Sequence, residues 1–228
     1  MLLAAAPPAR AATPLLPDLE QGPPRELTVL GESGHWRLGF ESSVTDVGAG
    51  PLIVDATRPD RTVAPMAARQ VVEQADGRLR ALRVVGALRF VVSVDHRHWH
   101  MRRFMSYELW SADGRLVLRD RKTGFCLSDP AYTPDNCGRE RPGLTRIRVG
   151  IGVGYTDVYN PFLEGQSFDI TRLRAGPYVL VHRSNPERRI AEQTYVNNAS
   201  SVRLRLTRRG GRPRITVVRT CPNSPACP

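Results

Sequence analysis

Residues 82–94 read Leu-Arg-Val-Val-Gly-Ala-Leu-Arg-Phe-Val-Val-Ser-Val. Five of these thirteen residues are valine, and β-branched side chains favour extended backbone. The stretch predicts a long strand. Shorter strand-like stretches lie on both sides of it. Glu26–Leu30, Trp36–Ser42 and Pro51–Asp55 precede it; Met105–Trp110, Leu116–Arg119, Phe168–Ile170, Tyr178–His182, Val202–Leu206 and Ile215–Val218 follow. Asp113-Gly114 stands between Trp110 and Leu116, and Asp-Gly is a strong hairpin signal. Only residues 63–77 read as briefly helical. Glycine and proline, 19 of each, punctuate the intervals. The pattern predicts an all-β fold, an antiparallel β-sandwich with little helix. Residues 127–165 read as a long irregular region, the kind of loop that carries a site.

The chain has 228 residues, 41% hydrophobic and 24% charged, a globular rather than a disordered balance. No apolar run approaches the ~18–20 residues of a membrane-spanning helix. Residues 1–12 resemble the end of a signal peptide, with Ala9-Arg10-Ala11 as a small-x-small cleavage pattern. Residues 13–25 are a Pro-rich lead-in, 26–207 the body of the domain, and 208–228 an Arg-rich extension ending in a Cys loop. The four cysteines fall in two close pairs, predicting disulfides Cys126–Cys137 and Cys221–Cys227. They point to an oxidising compartment, secreted or periplasmic. The competing reading is four free thiols in the cytosol.

Lys and Arg total 33 against 22 acids, a net charge of +11. Thirty-two of those cations are Arg, and the single Lys is Lys122. An Arg side chain stays protonated, whereas a Lys amine can become a nucleophile. Position 122 therefore poses a chemical question, against the plain reading of a lone surviving Lys. The basic balance allows association with an anionic surface. No basic motif interleaved with aromatics accompanies it, so nucleic acid is not expected. Asp129, Asp157 and Asp169 are acids available to reverse the field locally.

Three of the five histidines fall in Asp95-His96-Arg97-His98-Trp99-His100. If the strand from Phe90 continues through them, period-two alternation puts Phe90, Val92, Val94, His96, His98 and His100 on one face. Three converging imidazoles offer three metal ligands and leave positions open for water or substrate. Imidazole suits zinc, copper, iron or nickel, with copper(II) the tightest binder among divalent metals, and the letters do not choose between copper and zinc. The bland alternative is a solvated His-rich turn. His35 and His182 carry no such signal and read as ordinary surface or core residues.

The His-x-His-x-His at 96–100 is followed by Arg121-Lys122-Thr123-Gly124-Phe125-Cys126-Leu127-Ser128-Asp129. Next come Tyr155-Thr156-Asp157-Val158-Tyr159 and Gln166-Ser167-Phe168-Asp169-Ile170-Thr171, then Asn185-Pro186-Glu187 and Glu192–Asn198. In this order and at these separations the set resembles the catalytic domain of the lysyl oxidase family. The resemblance runs from about residue 15 to about 207 and is strongest over 96–198.

It implies a copper-dependent amine oxidase whose cofactor, lysine tyrosylquinone, is made from its own Lys and Tyr. Carried over, His96, His98 and His100 hold copper, Lys122 is the cofactor lysine and Tyr159 the cofactor tyrosine. Cys126 matches a disulfide-forming position. The implied reaction converts primary amines, peptidyl lysine or small amines, to aldehydes with dioxygen, releasing hydrogen peroxide and ammonia. Asp157, two residues from Tyr159, is the candidate base; the bland reading is a turn carboxylate. Tyr155 rivals Tyr159 as quinone precursor, and only the match to the family separates them. The chain lacks some cysteines of the animal enzymes. It carries Ser106 where they have a His in a Phe-x-His-Tyr string, and Gln166-Ser167 where they have Gln-Trp. The alternative function is a secreted copper- or zinc-binding β-sandwich without oxidase activity.

Overall fold

The computed structural model describes residues 12–93, 96–120, 124–133 and 135–228. Among them the chain forms sixteen strands and no helix. The first seven are β1 (Pro14–Leu15), β2 (Leu19–Gln21), β3 (Arg25–Glu32), β4 (His35–Asp46), β5 (Leu52–Thr57), β6 (Met66–Gln74) and β7 (Leu79–Val92). Then come β8 (Arg97–Met101), β9 (Met105–Ser111), β10 (Leu116–Arg119), β11 (Arg146–Ile151) and β12 (Thr156–Tyr159). The last four are β13 (Ser167–Asp169), β14 (Gly176–Ser184), β15 (Ala199–Arg209) and β16 (Arg212–Cys221). No helix of the described residues is long and apolar enough to cross a membrane.

All strand pairs are antiparallel and fall into three sheets. One runs β11-β5-β6-β7-β8, with β1 added at β6, and a second runs β10-β9-β14-β15-β16. The third is organised by β4, which pairs with β3 and β2 along one edge and with β13 and β12 along the other. The sheets enclose one apolar core, as an all-β sandwich requires. Phe40 of β4 lies at its middle, with ring centroids 4.9 Å from Tyr107 on β9 and 5.3 Å from Phe168 on β13. Both expected disulfides are formed, Cys126–Cys137 and Cys221–Cys227.

The expectation of a helix in 63–77 is wrong. Residues 66–74 are β6, hydrogen-bonded on both edges by β5 and β7. Met66, Ala68, Gln70 and Val72 are buried on one face with period two. Alanine's helix preference is worth under about 1 kcal/mol per residue and yields to two ladders and a buried face. The irregular stretch 127–165 also contains β11 and β12, which its glycines and prolines had hidden.

His182 of β14 is fully buried between Phe40 and Tyr107, with centroids at 4.9 and 4.4 Å. Burial disfavours its charged form and holds its pKa down at about 3. The unfolded chain therefore binds a proton that the native one refuses between about pH 6.5 and 3. This contribution to stability is complete above about pH 6.5 and is lost as pH falls. Glu192 acts in the opposite sense. Burial raises it to about 7, although it accepts from the Leu19 amide, Asn185 and Asn198. Its protonated form is favoured in the fold, so stability declines as pH rises from about 4.5 to 7. Comparing the parent with His182→Phe cancels Glu192. In thermal melts the parent is expected to lose Tm relative to the variant as pH falls from 6.5 to 4; parallel profiles would contradict a buried neutral imidazole.

Candidate metal centre and its neighbouring tyrosine

The three histidines do not continue the strand from Phe90, as the sequence suggested. β7 ends at Val92, which is exposed, and β8 returns antiparallel to it. The Ser93 amide donates to the His96 carbonyl at 2.7 Å, and His98 and His100 lie opposite Val91 and Arg89. Val94 and Asp95 lie outside the described residues. Period two still governs β8. His98 and His100 share one face, while Trp99 and Met101 turn into the core. Trp99 fixes the other face: its ring meets Phe90 at 5.6 Å and its indole N–H donates to the Arg141 carbonyl at 3.1 Å.

The three imidazoles are buried and converge, with ring centroids 4.7–5.3 Å apart. One ring nitrogen from each lies within 4.8 Å of the others. Nε2 of His98 and Nε2 of His100 are 2.8 Å apart. Two nitrogens bound to one ion at about 2.0–2.1 Å keep a separation of about 3 Å. Three neutral nitrogen donors with no carboxylate among them are a donor set for copper or zinc rather than for magnesium or calcium. The residues therefore fit the copper that the sequence resemblance implies.

A second segment is pinned against β8. Met101 and Phe125 exchange both backbone hydrogen bonds, at 2.7 and 3.0 Å. Position 124 allows that approach only as glycine. Its φ is +144°, and a Cβ there would lie 2.8 Å from the Met101 carbonyl oxygen and 2.9 Å from the His100 Cβ. The Cys126–Cys137 disulfide fastens the segment one residue further on. Lys122, two residues ahead of Gly124 in the chain, lies outside the described residues.

Opposite this segment, β12 presents Asp157 and Tyr159 on one buried face, paired with Val44 and Ser42 of β4. The Tyr159 hydroxyl is 2.6 Å from Asp157 Oδ2 and 2.7 Å from the Cys126 carbonyl oxygen. Asp157 also accepts from the Ser128 hydroxyl at 2.6 Å and the Ser128 amide at 3.2 Å. A phenol has one proton, and here it lies between two acceptors, the Asp157 carboxyl and the Cys126 carbonyl. Burial pushes the Asp157 carboxyl above its usual range, and burial raises the Tyr159 phenol well above 10. The Tyr159 ring stands edge-on to Phe125 at 5.1 Å.

A cavity of about 220 Å³ joins these parts. All three imidazoles line it, with Gly124, Phe125, Asp157 and Tyr159. Tyr155, the rival tyrosine, does not line it. His96 and His100 also line a wider cleft of about 810 Å³, with Asp120, Glu164 and Asp169 in its wall beside Arg37 and Arg119. Of the other acids considered from sequence, Asp129 accepts from the amides of Ala131 and Gly152 and so closes a turn. Asp169 pairs with His35 at 3.0 Å and is held down at about 2 by the Thr171 hydrogen bonds and by that imidazole. Ser106 lines neither cavity.

A family model described as Lysyl oxidase matches residues 74–221, well over half of the chain. This chain belongs to the lysyl oxidase family. It is similar to Lysyl oxidase homolog 2 of Xenopus tropicalis, at 35% identity over 111 residues, 48% of this chain and 14% of that protein. Lysyl oxidase homolog 1 of Homo sapiens is 33% identical over 116 residues, 50% of this chain and 20% of its own length. Lysyl oxidase homolog 3B of Danio rerio is 33% identical over 105 residues, 46% and 13% respectively. The match thus spans a fifth or less of these much longer lysyl oxidase relatives.

Phe125 and Ser128 are among the residues of the 121–129 string that carried no task in the sequence reading. Ser128 holds the Asp157 carboxyl, and Phe125 walls the Tyr159 ring. Two outcomes are expected at this site. Replacing any one of His96, His98 or His100 by Ala lowers Cu(II) affinity, read by competition titration, by more than about 100-fold, above the loss from a merely supporting residue. Gly124→Ala lowers unfolding free energy by about 1–3 kcal/mol in urea, because it forces a strained backbone against β8.

Proposed function

We propose that this chain is a copper-dependent amine oxidase that converts primary amines to aldehydes. Each turnover consumes one amine, one dioxygen and one water and yields one aldehyde, one ammonia and one hydrogen peroxide. The observation that carries the reading is the single small cavity shared by three imidazoles and the buried Tyr159–Asp157 pair. His96, His98 and His100 would hold the copper, and Lys122 and Tyr159 would be joined as lysine tyrosylquinone. Bound copper would supply the redox chemistry with dioxygen, and the quinone the electrophilic carbonyl that takes up an amine.

The chain's own residues have separable tasks. The Cys126 carbonyl and Asp157 orient the Tyr159 hydroxyl, and Phe125 fixes its ring plane. Asp157 is the group that takes and returns protons at Tyr159 Oη, and the candidate for accepting the substrate's α-proton. Burial raises its pKa above the usual carboxylate range, which makes the carboxylate a stronger proton acceptor. Asp120, Glu164 and Asp169 give the wide cleft acidic groups that attract a cationic amine despite the basic exterior. The uncharged apolar walls at Phe125 and Leu163 limit water around Tyr159. The two disulfides support a secreted or periplasmic location.

The test is to load the protein with copper in air, treat it with phenylhydrazine and map adducts by peptide mass spectrometry. A coloured adduct on a cross-linked Lys122–Tyr159 peptide is expected, absent from Lys122→Arg and Tyr159→Phe. Full copper occupancy with the two peptides unmodified and separate would replace this reading with a metal-binding module. Asp157→Asn is expected to keep copper affinity within about 3-fold while lowering peroxide release from a primary amine by at least about 100-fold, in line with loss of a general base.

A further inference from the structure

The last thirty residues carry seven Arg and no Asp or Glu, so they supply seven of the chain's eleven net positive charges. The fold concentrates them. β15 and β16 form a two-stranded ribbon on which directly opposed residues share a face. Leu204 and Leu206 of β15 point into the core, so Arg203, Arg205, Thr207 and Arg209 point outward. Their partners on β16 are Arg219, Thr216, Arg214 and Arg212. Six guanidinium groups and two threonines thus form one outward surface.

Two details separate this surface from an ordinary solvated face. Arg203 stands directly opposite Arg219, and Arg209 opposite Arg212. Like charges so placed destabilise a sheet. None of the six forms an ion pair with a carboxylate among the described residues, whereas elsewhere Arg97, Arg103, Arg119, Arg141, Arg148, Arg183 and Arg189 all do. Among the described residues Arg219 donates to the Pro228 carbonyl oxygen, at 3.3 Å. Arg208, the seventh, is committed to the fold by donating to the carbonyls of Ile170, Thr171 and Leu173. Protection of a sheet edge does not explain the set. β16 is the edge strand, but Arg203, Arg205 and Arg209 sit on β15, which is paired on both sides.

We propose that the outward face of the β15–β16 ribbon binds an anionic polysaccharide, a linear chain carrying repeated carboxylate or sulfate groups. Successive outward positions on a strand are spaced about 6.6–6.8 Å apart, so the cations form two parallel rows about 5 Å apart. Arg makes forked hydrogen bonds to planar anions, and Thr207 and Thr216 add hydroxyls that pair with sugar oxygens. No aromatic side chain stands in the rows to stack a base, which disfavours single-stranded nucleic acid. Val217, though exposed, is opposite buried Leu204 and so belongs to the other face, and Val218, the extra residue between Val217 and Arg219, is a single small apolar side chain, less than a lipid surface needs as an anchor. The ribbon is held rigid at its far end. The Cys221–Cys227 disulfide closes it, and Ser200 and Ser201 bond to Asn223 and Ser224. The surface is independent of the oxidase reading and would serve to keep the domain on an anionic matrix or envelope.

The test uses immobilised heparin as the probe, eluted with a NaCl gradient. The parent is compared with the triple variant Arg205→Ser, Arg212→Ser, Arg214→Ser. A control triple removes the same charge elsewhere: Arg61→Ser, Arg80→Ser, Arg115→Ser. Thermal melts check that all are folded. The ribbon variant is expected to elute at about half the parent's salt concentration, and the control close to the parent. Equal shifts in the two triples would reduce the effect to net charge and overturn the site. Tighter binding of the parent to duplex DNA or to phosphatidylserine vesicles than to heparin, at matched salt, would overturn the choice of polysaccharide.

Discussion

The twelve-residue strand β4 is flanked along both edges, by β3 and β2 on one side and by β13 and β12 on the other. That double ladder is the constraint from which the site follows. A strand paired on both sides cannot slip by one residue without turning its buried face outward. Its register therefore fixes which residues of β12 face inward, and Asp157 and Tyr159 are the two. The buried residues of β4 itself, Leu38, Phe40, Ser42 and Val44, form the floor beneath them. What β4 does for the tyrosine, β7 does for the histidines. His98, His100, Asp157 and Tyr159 are each held by a ladder rather than by a free loop, which suits a centre that needs ligands held to within about 0.5 Å.

The acid–phenol pair shows how burial can be put to use instead of avoided. An isolated buried carboxylate would be costly. Asp157 escapes that cost by accepting twice from Ser128 and sharing a proton with Tyr159. The Tyr159 phenol, for its part, rests on a main-chain carbonyl that the Cys126–Cys137 bridge immobilises. Each polar atom in the cluster has a partner, so the group can sit in the core without unravelling it.

Much of this was legible in the letters, for identifiable reasons. The histidine spacing and the Asp-x-Tyr spacing are both multiples of two, and strand geometry translates such spacing directly into a shared face. The strand β7 was legible from the valines of 82–94. Its end at Val92 was not, because nothing in the sequence of 93–96 carries the usual Gly or Pro mark. As a result the imidazoles were expected as an extension of β7 and instead lie beside it. β6 was misread because Ala67-Ala68-Arg69-Gln70 has a local preference for helix that only pairing on both edges overrides. The Cys126 carbonyl was out of reach for a different reason: a backbone acceptor has no letter. Ser128 had a letter, but its partner 29 positions away is revealed only by the fold.

The histidines and the tyrosine differ in how much chain must be in place before they are positioned. His96, His98 and His100 need little more than the β7–β8 hairpin, a local element whose formation closes a short loop. Tyr159 reaches the same cavity only when β12 has found β4, more than a hundred residues earlier in the chain. Contacts of such long range form late in folding because their entropy cost must be met before they are rewarded. The histidine half of the centre can therefore be assembled in a chain whose tyrosine is still distant. A cation captured at that stage would be in position when the phenol arrives, and any chemistry between them would report the completion of the fold.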